Sequence, residues 1–258
     1  MSKKLFTEFP EVSAKQWKQK IQYDLKGADY NDTLIWKTLD GVDVKPFYHQ
    51  DDTGSPVKAN PPEGWNIAQQ IYVSTASQAN KAALEALQKG AESIWFVLPS
   101  EKVDLKRLFS GIDLTGVPVY IKPEFLSENF FLKLDDFLEK KSQVFLQLDV
   151  VGNLARTGNW FKDLQHDLKV STNLIEKYRH FASVFNVDTG LYQNAGANIP
   201  QQLAYALSHA NEYLNQIKAA QLSEEKRTEI KFQFITATGP HYFFRNRKTA
   251  SPAAVVFH

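Results

Sequence analysis

The chain of 258 residues contains no cysteine. Disulfides and thiolate metal sites are therefore excluded, and a reducing compartment fits. No stretch approaches the roughly 18 apolar residues of a membrane span. The opening segment, MSKKLFTEFPEV, lacks the apolar run of a signal peptide. Charge of one sign is also missing: 30 basic and 29 acidic residues leave a formal net charge of +1, with no basic block. Neither nucleic acid nor an anionic membrane is expected as a partner. These absences together predict a cytoplasmic protein. What is present is an apolar content of 43% and enough chain for one large α/β domain.

Residues 1–60 differ from the rest. Trp17, Ile21 and Leu25 recur at helical spacing, and Gly27 is a natural stop. Leu34–Thr38 and Val42–Tyr48 flank Asp40-Gly41, a strong hairpin signal. Residues 50–64 are rich in Asp, Pro, Gly and Asn and read as a linker. From residue 65 strands alternate with helices. Strands are expected at Ile67–Val73, Ser93–Leu98, Val117–Ile121, Val144–Val150, Phe181–Val187 and Ile230–Ile235. Helices are expected from a Ser77 cap to Gly90, near Val103–Phe109, over Phe125–Lys140, within Trp160–His180 and over Asn198–Ala220. The last is capped by Asn198, with Pro200 in its first turn and Leu203, Leu207, Ala210, Leu214 and Ile217 on one face. Six strands separated by helices argue for parallel pairing through right-handed crossovers. An open doubly wound sheet and a (β/α)8 barrel, which typically takes about 250 residues, both satisfy this periodicity.

Three patches then point to one family. The first is Trp17, Asp24-Leu25-Lys26-Gly27, Leu34, Trp36, Thr38, Gly41 and Pro46-Phe47-Tyr48. The second is QQIYVSTASQAN, Gln69–Asn80, and the third is TGLYQNAGANIPQQLAYALSHANEYL from Thr189. In this order they resemble the methylmalonyl-CoA mutases, above all the smaller, non-catalytic chain of the two-chain bacterial enzymes. The resemblance implies a partial (β/α)8 TIM barrel of about six units at 61–244, preceded by an N-terminal helix-hairpin arm at 1–60. It implies the structural subunit of an adenosylcobalamin-dependent isomerase that interconverts (R)-methylmalonyl-CoA and succinyl-CoA. The partner would be the catalytic large subunit, in a heterodimer. Trp17, Leu25, Tyr30, Trp36 and Tyr48 would be its partner-binding residues.

Catalytic chains of the family carry RQYAGFSTAEESN and GYHMQEAGA, whose Tyr and His work on the substrate. Gln70 and Leu191 stand at those positions here. Leucine can neither donate a proton nor hydrogen-bond a thioester carbonyl, so no catalytic residue is expected. The family's cobalt-ligating DxHxxG motif is also missing. Gln165-His166-Asp167-Leu168 is its nearest likeness and lacks the Gly. No cofactor is expected on this chain, with adenosylcobalamin held elsewhere in the holoenzyme.

Other groups stay open to two readings. The six histidines, His49, His166, His180, His209, His241 and His258, form no HxxxH or HExxH pattern and are assigned ordinary roles. Asp135-Asp136 reads as a solvated helix face. Asp149 ends an apolar strand, where a barrel enzyme places a functional group, or it caps the next loop. Arg156-Thr157-Gly158-Asn159-Trp160 and Gly239-Pro240-His241 are loop-to-helix junctions that suit an anion or plain capping. A fragment of an active acyl-CoA mutase, and an unrelated barrel enzyme using Asp149 or the Arg156 loop, are the alternative functions. The tail 245–258 departs from the family. One choice of codons for Arg245–Phe257 reads, after loss of its first base, as EIAKLRALRLWF, the helix the family carries there. An out-of-frame tail is therefore expected. The short barrel is also expected to self-associate through unpaired sheet edges.

Overall fold

The computed structural model describes residues 8–52, 65–220, 222 and 230–236. The tail from residue 245 and the Gly239-Pro240-His241 turn lie outside the described residues. The chain divides into two compact units, Met1–Asn60 and Pro61–His258.

In the first unit, α1 (Ala14–Asp24) starts on a capping box in which Ser13 and Gln16 satisfy each other's backbone N–H. A short α2 (Tyr30–Leu34), capped by Asp29, follows and was not visible in the periodicity. The hairpin forms around Asp40-Gly41 with only two residues in each strand, β1 (Trp36–Lys37) and β2 (Asp43–Val44). Gly41 takes φ +72°, and the Thr38 hydroxyl donates to the Val42 carbonyl at 2.8 Å. A 3-10 turn at Gln50–Asp52 ends the described part.

The second unit runs β3 (Ala68–Tyr72), α3 (Ala76–Gln88), β4 (Ser93–Leu98), α4 (Leu105–Leu108), β5 (Val119–Pro123) and α5 (Glu128–Phe137). It continues with β6 (Val144–Leu148), α6 (Val150–Thr157), α7 (Leu164–Lys177), β7 (Ser183–Asp188), α8 (Gly190–Asn194), α9 (Ile199–Ala219) and β8 (Phe232–Ile235). The strands form one sheet in the order β3-β4-β5-β6-β7-β8, every pair parallel. A doubly wound sheet reverses its strand order at a switch point. This order never reverses, which is the winding of a β/α barrel. Among the described residues the sheet is open, with β3 and β8 as its end strands. Ile94, Phe96, Leu98, Ile121, Leu146 and Leu148 are buried with Phe131, Leu134 and Leu174 of the helices in one core. Alternate residues occupy the other face, where Tyr120 and Phe145 stack with centroids 5.0 Å apart.

Several expectations need correction. Thr75, not Ser77, caps α3, because its hydroxyl reaches the Gln78 N–H. β5 covers Val119–Pro123 rather than Val117–Ile121, with Pro123 as its last residue. A proline is tolerated there, since Glu124 N–H continues the ladder to the Leu98 carbonyl at 2.9 Å. α7 falls inside the expected span, at Leu164–Lys177, its start set by the Asp163 cap. The face of α9 was also misassigned. Leu203, Leu207 and Leu214 are exposed, whereas Ala206, His209, Ala210, Tyr213 and Ile217 are buried. Two polar-tipped rings have displaced leucines from the core face, because both tips find partners inside. Asp135 is not solvated. It is buried, and its carboxylate accepts N–H bonds from Arg179, His180 and Phe181 at 2.7–2.9 Å.

Candidate functional site

β5, β6 and β7 lie side by side, so their C-terminal ends bring Lys122, Gln147, Asn186 and Asp188 to one place. With Asp149, Asn153, Arg156, Thr157 and Phe161 they line a cleft of about 280 Å³. This is the end of the strands where barrel enzymes hold their chemistry.

Asp188 sits at its centre, 9% exposed. Lys122 Nζ and Arg156 Nη2 both reach its Oδ2 at 3.1 Å, and Gly190 N–H donates to its Oδ1 at 3.1 Å. Lys122 also lies 5.9 Å from the Trp95 ring centroid. Two amide side chains complete the lining. Asn186 is 1% exposed and Gln147 5% exposed, and neither Asn186 Oδ1 nor Gln147 Oε1 has a hydrogen-bond partner. Gln147 does donate through Nε2 to Gln233 Oε1 at 3.2 Å, and Gln233 donates on to the Ser183 hydroxyl.

Asp149 borders the cleft from the other side. Its carboxylate caps α6 by accepting Gly152 N–H at 2.7 Å. A Cβ at residue 152 would collide with that carboxylate, so the glycine permits the cap. Tyr213 hydroxyl donates to Asp149 Oδ1 at 2.9 Å, and Asp188 N–H donates to Oδ2 at 3.2 Å. His209 Nε2 stands 2.8 Å from Oδ1, an ion-pair distance at an angle unsuited to a linear hydrogen bond. The other imidazole nitrogen, Nδ1, meets the Tyr192 hydroxyl at 3.1 Å. Burial, with the Asp149 charge adding to it, pushes the Tyr213 phenol well up. Tyr192 is raised for the same first reason, with Asp149 and Tyr205 contributing. Both phenols therefore stay protonated at neutral pH.

The residues singled out in the sequence separate into groups. Arg156 and Asp149 enter the cleft. Gln70 lies on the exposed end strand β3, opposite Trp95 in the ladder, and Leu191 is half-buried in α8. Neither lines the cleft. His180 Nδ1 meets the Asp135 carbonyl oxygen at 2.8 Å, and His166 leans on buried Asp167. His49 meets Asp51, and His241 and His258 lie outside the described residues. In the first unit, Trp17 is 50%, Trp36 52% and Tyr48 63% exposed, and Leu25 is half-buried. Tyr30 is 7% exposed under the Lys18 ammonium, and so is packed rather than presented. Lys122, Asp188, His209 and Tyr213 were missed. Asp188 carries the same signal as Asp149, an acid closing an apolar strand. Among the described residues no group of three or more His, Cys, Asp or Glu side chains is placed to hold a metal. No helix among them is long and apolar enough to cross a membrane.

Parallel strands in sequential order, with a polar cleft at their C-terminal ends, define a partial β/α barrel. Residues 97–246 match the family model for methylmalonyl-CoA mutase. The chain belongs to that family. It is 29% identical to the methylmalonyl-CoA mutase small subunit of Porphyromonas gingivalis, over 95% of this chain and 43% of that one. It is 25% identical to the small subunit of Streptomyces virginiae, over 89% of this chain and 42% of that one. Identity to the Propionibacterium freudenreichii small subunit is 21%, over 80% and 37%. The chain thus spans about two fifths of the length of the curated relatives it matches.

Proposed function

We propose that this chain is a non-catalytic, structural subunit of an adenosylcobalamin-dependent methylmalonyl-CoA mutase, working beside a catalytic large subunit. One observation carries the reading. The acid–base groups at the strand ends are consumed by one another: Asp188 by Lys122 and Arg156, Asp149 by Gly152, Tyr213 and His209, and His209 by Tyr192. A general acid must offer its proton to the substrate, and each of these groups is held by a neighbour. Gln70 and Leu191 stand where the catalytic chains carry Tyr and His, which supports the same reading. The small-subunit names of three relatives support the subunit assignment.

The cleft does not suit the cofactor. The cleft is small, about 280 Å³, and no imidazole lines it. His209, behind Asp149, is buried, with Nδ1 on the Tyr192 hydroxyl and Nε2 at 2.8 Å from the Asp149 carboxylate. On the resemblance to the two-chain enzymes, we assign the cobalamin to the large subunit. In the first unit, exposed Trp17 and Tyr48 supply the kind of aromatic surface that anchors interfaces.

Co-expression with the catalytic large subunit tests this. A stable complex should co-purify, and the purified chain with adenosylcobalamin should not turn over methylmalonyl-CoA. Turnover by the chain alone would overturn the non-catalytic assignment. Failure to co-purify would overturn the subunit assignment.

A further inference from the structure

Taking the chain as non-catalytic, we propose that Asp188 is a built-in plug. Its carboxylate occupies the anion site that Lys122 and Arg156 form at the strand ends, and so excludes small organic acids from the cleft.

The site has the parts of a ligand pocket. Two cations converge on a single carboxylate oxygen at 3.1 Å each. Two buried amide side chains, Asn186 and Gln147, each keep an acceptor oxygen without a partner in the same cleft. Unpartnered buried polar atoms are uncommon in native folds and call for an explanation. Cations beside free acceptors would suit a small acid that also carries a hydroxyl. Its carboxylate would meet Lys122 and Arg156, and its hydroxyl would donate to Asn186 or Gln147. The internal carboxylate already takes the first part of that arrangement. With Asp188 ionised, the lining carries Lys122 and Arg156 against Asp149, Asp188 and the exposed Glu124, an excess of negative charge that repels an incoming anion.

Asp188 also accepts the Gly190 N–H, so the side chain is held rather than swinging. Asp188→Asn preserves its shape and this acceptor while removing the charge. It should leave the two cations without their counter-charge, which an external carboxylate can then supply.

The probe is malate, a hydroxy-dicarboxylate, titrated calorimetrically into the full chain. The wild type should give no measurable malate binding, because its site is filled and its lining repels an anion. Asp188→Asn should bind malate at least about tenfold more tightly, and adding Arg156→Ala should abolish the gain. Asp188→Ser, which keeps a small polar group facing Gly190, serves as the second variant. Equal malate affinity in wild type and both folded variants would overturn the proposal. So would unfolding of both variants, which would make Asp188 a brace rather than a plug. Turnover assays on the same samples separate the two readings. Malate binding without mutase activity supports both, whereas activity of the unmodified chain overturns only the non-catalytic one.

Discussion

The described parts of the two units bury very different shares of their aromatic side chains. In the sheet unit Phe96, Phe131, Phe185 and Tyr213 are fully buried and in mutual or helical contact. In the N-terminal unit Trp17, Tyr23, Trp36 and Tyr48 are exposed, and Tyr30 is the one aromatic side chain buried among its described residues. Fully burying a side chain such as Phe contributes about 1.5–3 kcal/mol. The sheet unit gains this many times over, and its buried acids are each tied to several N–H groups. The N-terminal unit relies on caps, a two-residue hairpin and edge contacts such as Trp17 on Phe47, with ring centroids 6.0 Å apart. A segment of this size cannot bury much surface by itself. The buried core therefore belongs to the sheet unit, and the described N-terminal residues carry little of one.

The largest test of that contrast lies in the sheet unit. Asp135→Ala would strip the acceptor from three backbone N–H groups at the start of β7. A buried donor left unsatisfied costs about 1–3 kcal/mol; Phe181 N–H is buried and those of Arg179 and His180 are partly exposed, so a loss of about 3–5 kcal/mol in urea unfolding is expected rather than three full penalties. Asp136→Ala, one residue on and exposed, should stay within about 0.5 kcal/mol. Equal small effects from the two would mean that the buried carboxylate does not brace the sheet.

That pair also marks what a sequence can and cannot reveal. Ser93–Leu98 was legible to the residue, because a continuous apolar run between turn residues has one reading. The winding was only half legible. Alternation showed parallel strands, but their sequential order emerged from the structure and the family likeness. α6 was hidden by Gly152, Asn153, Thr157 and Gly158, residues that read as a loop until Asp149 is seen capping them. Asp135 lies one turn after Phe131, on the same buried side of α5, yet a charge pair reads as solvated unless its partners are known. Those partners are 44–46 residues away in the chain. His209 and Tyr213 failed for the same reason: Asp149, which holds both, is 60 and 64 residues earlier. The cleft was legible at Arg156 and Asp149 and invisible at Lys122, whose role requires β5 to lie near β7.

The N-terminal side of the comparison is sharpened by binding rather than unfolding. Trp17→Ala with Trp36→Ala should hardly move the urea midpoint of the isolated chain, since both rings are half exposed. The same pair should weaken association with the catalytic large subunit by about 2–4 kcal/mol if the rings are anchors at its interface. Surface plasmon resonance measures the affinity, with circular dichroism as the check on folding. Unchanged affinity would assign these tryptophans to this chain's own surface.

The smallest effect separates burial from bonding inside the sheet unit. Tyr213 is raised well above the ordinary tyrosine value, mainly by burial. In the unfolded chain its phenol ionises near pH 10, while in the folded chain it stays protonated to higher pH. The contribution to folding is therefore constant below about pH 10 and is lost as pH rises toward the folded value. Tyr192 and Tyr120 are shifted in the same direction, so total stability falls above pH 10 in any case. The difference between wild type and Tyr213→Phe isolates the one phenol. At pH 7 the variant should lose about 1–2 kcal/mol, because its ring still packs 4.7 Å from Phe185 while Asp149 and Val151 N–H lose the hydroxyl. Between pH 9 and pH 11 that gap should narrow, since phenylalanine has no proton to lose. A gap that stayed constant across this range would mean that the ring alone, and not its buried hydroxyl, joins α9 to the strand ends.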